Sequence, residues 1–244
     1  MVAPVNPVGD AIRVEGLEKS FGDWPVLWNL DLTLGWGQFL VLFGANGAGK
    51  STLLRILSTQ AKADAGTALV SGHDLRRNPQ AVRSRVGVVA HRTFLYDDLT
   101  SLENLVYYGR LFGLKDPEKR AVEALSRLGM SRRSGYRLRS LSHGMQKRVA
   151  IARAILHQPP ILMLDEPESG LDRGSVEMLK ELLQEWTASG RSVVMTTHDI
   201  DLGFSWAGQV GLLAEGKIQR PGSSGTDGDA EFRRYVTTSL ESNR

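Results

Sequence analysis

Residues Phe39–Leu57 read FLVLFGANGAGKSTLLRIL, and no other stretch constrains the chain as strongly. The apolar run Phe39–Phe43 has the form of a buried strand. It enters a glycine-rich turn, Gly44–Gly49, followed by Lys50, Ser51 and Thr52. Leu53, Leu54 and Leu57 then recur at helical spacing. Gly44, Gly49, Lys50 and Ser51 fill the fixed positions of the strand–loop–helix pattern G-x-x-x-x-G-K-S/T.

The chemistry of this pattern explains its residue types. Glycines let the backbone curl until successive N–H groups point inward, and Gly44, Ala45, Asn46, Gly47, Ala48 and Gly49 form that cradle. The helix behind it adds unpaired N–H groups and the positive end of its dipole. Lys50 supplies a point charge for β- and γ-phosphates, and the Ser51 hydroxyl suits Mg²⁺, with Thr52 beside it. A glycine-rich turn that binds nothing is the alternative, but the flanking strand and helix favour a nucleoside triphosphate site.

The rest of the chain has room for a substantial core. Its 244 residues are 41% apolar and 23% charged. The net charge of +3 is too small to argue for nucleic acid. There is no cysteine, which excludes disulfide and cysteine–metal chemistry and fits a cytoplasmic setting. No apolar run approaches the ~18 residues of a membrane span. The opening residues, MVAPVNPVGD, lack a basic segment followed by an apolar core and read as a loose arm rather than a signal peptide.

Along the chain, Ala11–Phe21 and Val26–Phe43 read as antiparallel strands feeding the first central strand, and Thr67–Val70 and Arg85–Val89 as further strands. From Leu99 to Leu141 the pattern is helical, with starts at Ser101 and at Asp116-Pro117. Arg132, Arg133, Arg137 and Arg139 form a basic cluster that is either a solvated face or a surface for an anionic partner. Ser142–His157 is helical and stops at Pro159-Pro160. Ile161–Leu164 reads as a buried parallel strand ending in Asp165-Glu166. Arg173–Ala188 is an amphipathic helix with Val176, Leu179, Leu183 and Trp186 on one stripe. Ser192–Thr196 is a strand, Gln209–Ala214 and Lys217–Gln219 a hairpin, Pro221–Asp229 a linker and Glu231–Leu240 a terminal helix. This order predicts an α/β domain with a mainly parallel sheet and an inserted helical subdomain, without internal repeats.

Carboxylates at a strand end are where open α/β sheets place ligands. Asp165 suits a metal role, and Glu166 suits orienting or activating a water for attack on the γ-phosphate. His198, at the end of another strand, either donates to the γ-phosphate and water or orders Glu166.

With these residues in view, the sequence resembles the ATP-binding subunits of ABC transporters. Leu141-Ser142-His143-Gly144-Met145-Gln146 corresponds to the family signature LSGGQ, and RVAIARAIL continues as the family does. Ile161–Pro167 resembles the second acidic motif, Ser169–Asp172 the D-loop, His198 the switch histidine, and Phe21 the aromatic residue that stacks on adenine. The resemblance runs from about residue 11 to residue 218. It implies a P-loop nucleoside triphosphatase of the ABC type, with an N-terminal antiparallel β subdomain, a helical subdomain at about residues 99–157, and a linker and short helix over 219–244.

The resemblance further implies ATP and Mg²⁺ as cofactors, and two subunits facing head to tail. Each ATP then lies between the phosphate loop of one copy and Ser142, His143, Gly144 and Met145 of the other, either a second copy of this chain or a homologous subunit. An integral-membrane permease is the implied partner, at the cytoplasmic face of the membrane, with Phe94, Leu95 and Tyr96 forming either a docking patch for it or ordinary core packing. No nucleic acid is expected.

Departures from the family pattern are Ala45 for proline in the phosphate loop, His143 and Met145 in the signature, and His91 for the glutamine that touches Mg²⁺ and the attacking water. A protonated imidazole would repel the metal, so activity should fall in acid. His91 together with Leu99–Leu105 (LTSLENL) resembles the haem-exporter subunit of cytochrome c maturation systems. Drug, antibiotic and polysaccharide exporters have related sequences. A soluble ABC ATPase of translation or DNA repair is disfavoured by the single cassette and the lack of a coiled coil or zinc hook. A non-hydrolysing scaffold is disfavoured by Glu166 and His198.

Overall fold

The computed structural model describes residues 9–219 and 226–241. Two sheets share the chain. The first is antiparallel, in the order β2-β1-β4-β5, built from β1 (Ile12–Phe21), β2 (Trp24–Leu34), β4 (Ala65–Val70) and β5 (His73–Asp74). The second runs β10-β9-β3-β8-β7-β6. Its members are β3 (Phe39–Phe43), β6 (Val86–Val89), β7 (Ile161–Asp165), β8 (Ser192–Thr196), β9 (Gln209–Ala214) and β10 (Lys217–Gln219). All of its pairings are parallel except the β9–β10 hairpin.

β3 has all five residues buried, as a strand covered on both faces must. Its side chains alternate between two cores. Phe39, Val41 and Phe43 face the helical core, and Leu40 and Leu42 face the core under the antiparallel sheet. β7 does the same, with Leu162 and Leu164 on one side and Ile161 and Met163 on the other. Helix α1 (Lys50–Leu57) lies in the second core through Leu53, Leu54, Ile56 and Leu57. Each such fully buried side chain contributes about 1.5–3 kcal/mol, so the phosphate-loop helix is clamped between the two sheets.

The helical insertion leaves after β6 and returns at β7, two strands paired in parallel from Val86↔Ile161 to Val89↔Leu164. It comprises α3 (Ser101–Leu111), α4 (Pro117–Arg127), 3-10 turns at Ser131–Arg133 and Leu138–Ser140, and α5 (His143–Ile155). Thr100 and Glu103 form a reciprocal capping box that fixes the start of α3. Helix α6 (Arg173–Ala188) buries Leu179, Leu182, Leu183 and Trp186; Leu182 joins the expected stripe and Val176 is only half-buried.

Several expectations need revision. Helix α2 (Pro79–Arg83) and β5 had no sequence counterpart. Helix α7 (Ile200–Trp206) follows His198 directly, capped by Asp199. The terminal helix α8 begins at Thr226 and runs to Glu241, so the expected Pro221–Asp229 linker is helical from Thr226 and otherwise lies outside the described residues. The expected N-terminal arm also lies outside them, apart from Gly9 and Asp10. α8 docks on the helical core through Phe232 and Val236. In the basic cluster, Arg139 pairs with Asp98 at 2.9 Å and Arg133 lies over the Tyr136 ring.

Candidate active site

The strand–loop–helix motif folds as its residues require. Gly49 caps α1 at φ 101°, and a Cβ there would meet Val26 Cγ1 at 2.9 Å. A Cβ on Gly44 would come within 2.7 Å of the Leu213 carbonyl oxygen. Glycine is therefore dictated at both positions by close approach, and at Gly49 also by backbone conformation. The loop from Ala45 to Thr52, with Val26 and Glu166, lines a cavity of about 220 Å³.

Lys50 is 6% exposed and donates from Nζ to the Gly44 carbonyl at 2.6 Å and the Ala45 carbonyl at 3.2 Å. Burial lowers its pKa, and the negative charges of Glu166 and Asp165 act in the opposite direction. A desolvated ammonium resting on neutral carbonyls, in a cradle of backbone N–H groups, is matched to an incoming phosphate.

Asp165 ends β7, is buried, and accepts a 2.7 Å hydrogen bond from the Thr196 hydroxyl of β8. Glu166 follows with φ 47°, a left-handed conformation that turns its side chain out of the strand path. Its Oε1 lies 2.5 Å from His198 Nε2. Among the described residues there is no group of three or more His, Cys, Asp or Glu side chains able to hold a metal. Mg²⁺ is commonly bound by one or two protein oxygens together with phosphate and water. Ser51 beside the cradle and Asp165 at the strand end are a donor set of this kind.

The signature lies elsewhere. Ser142 caps α5 and accepts from the Met145 N–H at 3.4 Å. Gly144 packs against Gly170, where an added Cβ would meet the Gly170 carbonyl oxygen at 2.7 Å, and a Cβ on Gly170 would meet His143 Cδ2 at 2.8 Å. Ser142, His143, Gly144 and Met145 do not line the cradle of their own chain. Met145 instead packs partly into the helical core.

Two other predicted residues stay apart from the cradle. Phe21 ends β1 opposite Trp24, 56% exposed, with the Lys19 ammonium 5.3 Å from its ring centroid. Val26 lines the cradle where Phe21 does not. His91 is exposed just beyond β6, the strand beside β7. Phe94 and Tyr96 are exposed while Leu95 packs against the helical core. Phe94 borders a groove of about 380 Å³ lined also by Tyr108, Phe112, Arg153 and His157.

Sequence reasoning missed Val26, Thr196, Thr197, Lys147 and Glu168 around the site. Thr196 and Thr197 follow directly in the strand that leads to His198, which was the available signal. Lys147 and Glu168 gave none.

A phosphate cradle on a parallel sheet, with paired carboxylates and a histidine at adjacent strand ends, defines a P-loop nucleoside triphosphatase. A family model described as ABC transporter matches residues 27–169. The chain belongs to the ABC transporter family, whose ATP-binding domains hydrolyse ATP to power transport.

Among its relatives is the daunorubicin resistance ATP-binding protein DrrA3 of Streptomyces coeruleorubidus, 36% identical over 88% of this chain and 68% of the relative. The Nod factor export ATP-binding protein I of Paraburkholderia xenovorans is 34% identical over 85% of this chain and 69% of its own length. The chain thus spans about two thirds of the length of these relatives. A dimeric ATP-binding cassette in a post-hydrolysis state with ADP and Pi superposes with a TM-score of 0.80 at 28% identity, over 86% of this chain and 97% of that one. An ATP-binding subunit of an ABC transporter gives 0.85 at 25% identity, over 95% and 99%. No helix among the described residues is long and apolar enough to cross a membrane.

Proposed function

We propose that this chain is the ATP-hydrolysing motor of an exporter, working as a head-to-tail pair of cassettes beneath a separate integral-membrane permease at the cytoplasmic face of the membrane. The observation that carries the reading is the Glu166 carboxylate, lining the phosphate cradle and held 2.5 Å from His198. Lys50 and the loop N–H groups bind the phosphates, and Glu166 orients and deprotonates the attacking water. His198 holds Glu166 in place. Mg²⁺ held by Ser51 and Asp165, with His91 near the water, would neutralise charge on the β- and γ-phosphates. Phe21 stacks on adenine once a nucleotide orders the exposed end of β1.

Ser142 and Gly144 lie outside their own cradle, which supports their closing the site of a facing copy. The exposed Phe94 and Tyr96, beside an apolar groove, support a docking surface for the permease. Relatives named for daunorubicin resistance and Nod factor export support the drug-exporter reading of the cargo. Haem export rests on His91 and Leu99–Leu105 alone and draws no support from those names.

Glu166→Gln should slow phosphate release, with kcat down at least 10²-fold, and leave an ATP-bound dimer by size-exclusion chromatography. Normal turnover by this variant would remove Glu166 from its role. Normal haem attachment to c-type cytochromes in a deletion strain would exclude haem as the cargo.

A further inference from the structure

Glu166 is a non-glycine residue at φ 47°, directly before Pro167. Such a backbone is strained for a residue with a side chain and persists only where its surroundings over-determine it. Here each polar group of the residue is held. The N–H donates to the Thr196 carbonyl at 3.1 Å and approaches the Thr196 hydroxyl at 3.2 Å. The carboxylate meets His198. The carbonyl oxygen accepts from Lys147 Nζ at 3.0 Å.

Lys147 is an unusual residue to find there. It lies on α5 and is only 4% exposed, where a helical lysine ordinarily reaches water. Glu168 lies nearby. It accepts the Thr197 hydroxyl through Oε1, and its Oε2 is enclosed with no hydrogen-bond partner among the described residues. The Thr197 oxygen in turn accepts the Asp199 N–H at 3.0 Å. Burial lowers the pKa of Lys147 and raises that of Glu168, and each side chain's charge opposes the other's shift. One buried cation therefore grips the strained Glu166 peptide, while a buried carboxylate grips the loop that carries His198.

We propose that Lys147 is a positioning residue that ties the signature helix to Glu166, so that closure of one nucleotide site of a cassette pair sets the catalytic geometry of the other. This rests on the head-to-tail reading. In that arrangement Ser142 and Gly144 touch the partner's nucleotide, whereas Glu166 serves the nucleotide of its own chain. Lys147 stands five residues after Ser142 on the same helix. A helix moves as a unit, so a shift at its N-terminus is delivered to Lys147 Nζ and through it to the Glu166 carbonyl. The charge-assisted bond makes that link stronger than a neutral donor would.

The test uses the full chain. Steady-state ATPase is measured over ATP concentration for wild type, Lys147→Met, Lys147→Arg and Lys147→Gln, with equilibrium ATP binding at protein concentrations too low for dimers. Lys147→Met should lower kcat at least tenfold and bring a Hill coefficient above 1 down to about 1, with monomer ATP affinity within about twofold. Lys147→Arg should restore part of both. Lys147→Gln keeps a donor and tests the same prediction should the methionine variant not fold, with an intermediate loss expected. A Hill coefficient unchanged by the substitutions, or equal to 1 in the wild type, overturns the proposal. In parallel, Glu166→Gln is sized with ATP. If it stays monomeric, the head-to-tail reading falls and takes the proposal with it. If it dimerises while Lys147→Met behaves as wild type, the proposal alone falls.

Discussion

Glu166 and His198 leave the sheet from neighbouring strands, β7 and β8, yet their side chains meet at 2.5 Å. Parallel pairing brings the two strand ends level, with Asp165 opposite Thr196 in register. The left-handed turn at Glu166 then swings its carboxylate toward the histidine. Replacing His198 by alanine should free that carboxylate. The expected result is a kcat reduced about 10²–10³-fold, in the range set by a mispositioned general base, with ATP affinity of the monomer little changed. Phosphate-release kinetics and equilibrium nucleotide binding check this; activity within threefold of wild type would count against the role.

Gly144→Ala tests the packing of the signature on Gly170. Helix propensity alone favours alanine over glycine by about 1 kcal/mol. The added methyl, however, would stand 2.7 Å from a backbone carbonyl oxygen, which cannot swing aside as a flexible side chain would. Overpacking of this kind costs about 1–3 kcal/mol and should win. The variant should melt at a lower temperature and lose at least tenfold in ATPase activity, while the monomer binds ATP normally. A raised melting temperature would show that propensity dominates.

His157 should make stability fall in acid. Its ring stacks on Phe112 at 3.9 Å between centroids, and Nε2 donates to the Val86 carbonyl at 3.2 Å. Nδ1 is enclosed with no hydrogen-bond partner among the described residues. Burial pushes the pKa down from 6.5 to about 4, opposed by the Val86 carbonyl and assisted by Arg153 and Arg120. Since the unfolded chain takes up the proton first, stability is full above pH 6.5 and is lost as pH falls toward 4. The loss from this residue reaches at most roughly 3 kcal/mol. Denaturant unfolding across that window should show a positive slope with pH that His157→Gln flattens. Equal slopes in both proteins would remove His157 as its source.

How much of this was legible in the sequence depended on element length and on where the determining contact lies. The strand Ser192–Thr196, the helix Arg173–Ala188 and the β9–β10 hairpin match their sequence readings because continuous or periodic apolar runs end at clear turn residues. The five residues of α2 and the two of β5 are too short to show a period. The start of α8 was hidden by the Gly, Ser and Asp content of residues 221–229, although Phe232 and Val236 anchor the helix on the core. In the site, Asp165, Glu166 and His198 stand at or just beyond strand ends that the apolar pattern marks, and Lys50 opens the helix behind the glycine-rich loop. Lys147 is illegible for the opposite reason: on one helix alone it reads as solvated, and only the end of β7, folded against it, encloses it.

Because β3 is the common wall of both cores, the parity of a residue on it decides which half of the molecule feels a mutation. Trimming Val41 hollows the side that carries the signature helix. Trimming Leu42 hollows the side that grips the phosphate-loop helix. Two adjacent positions of one strand thus offer separate handles on the packing behind the phosphate-loop helix and on the packing behind the signature helix.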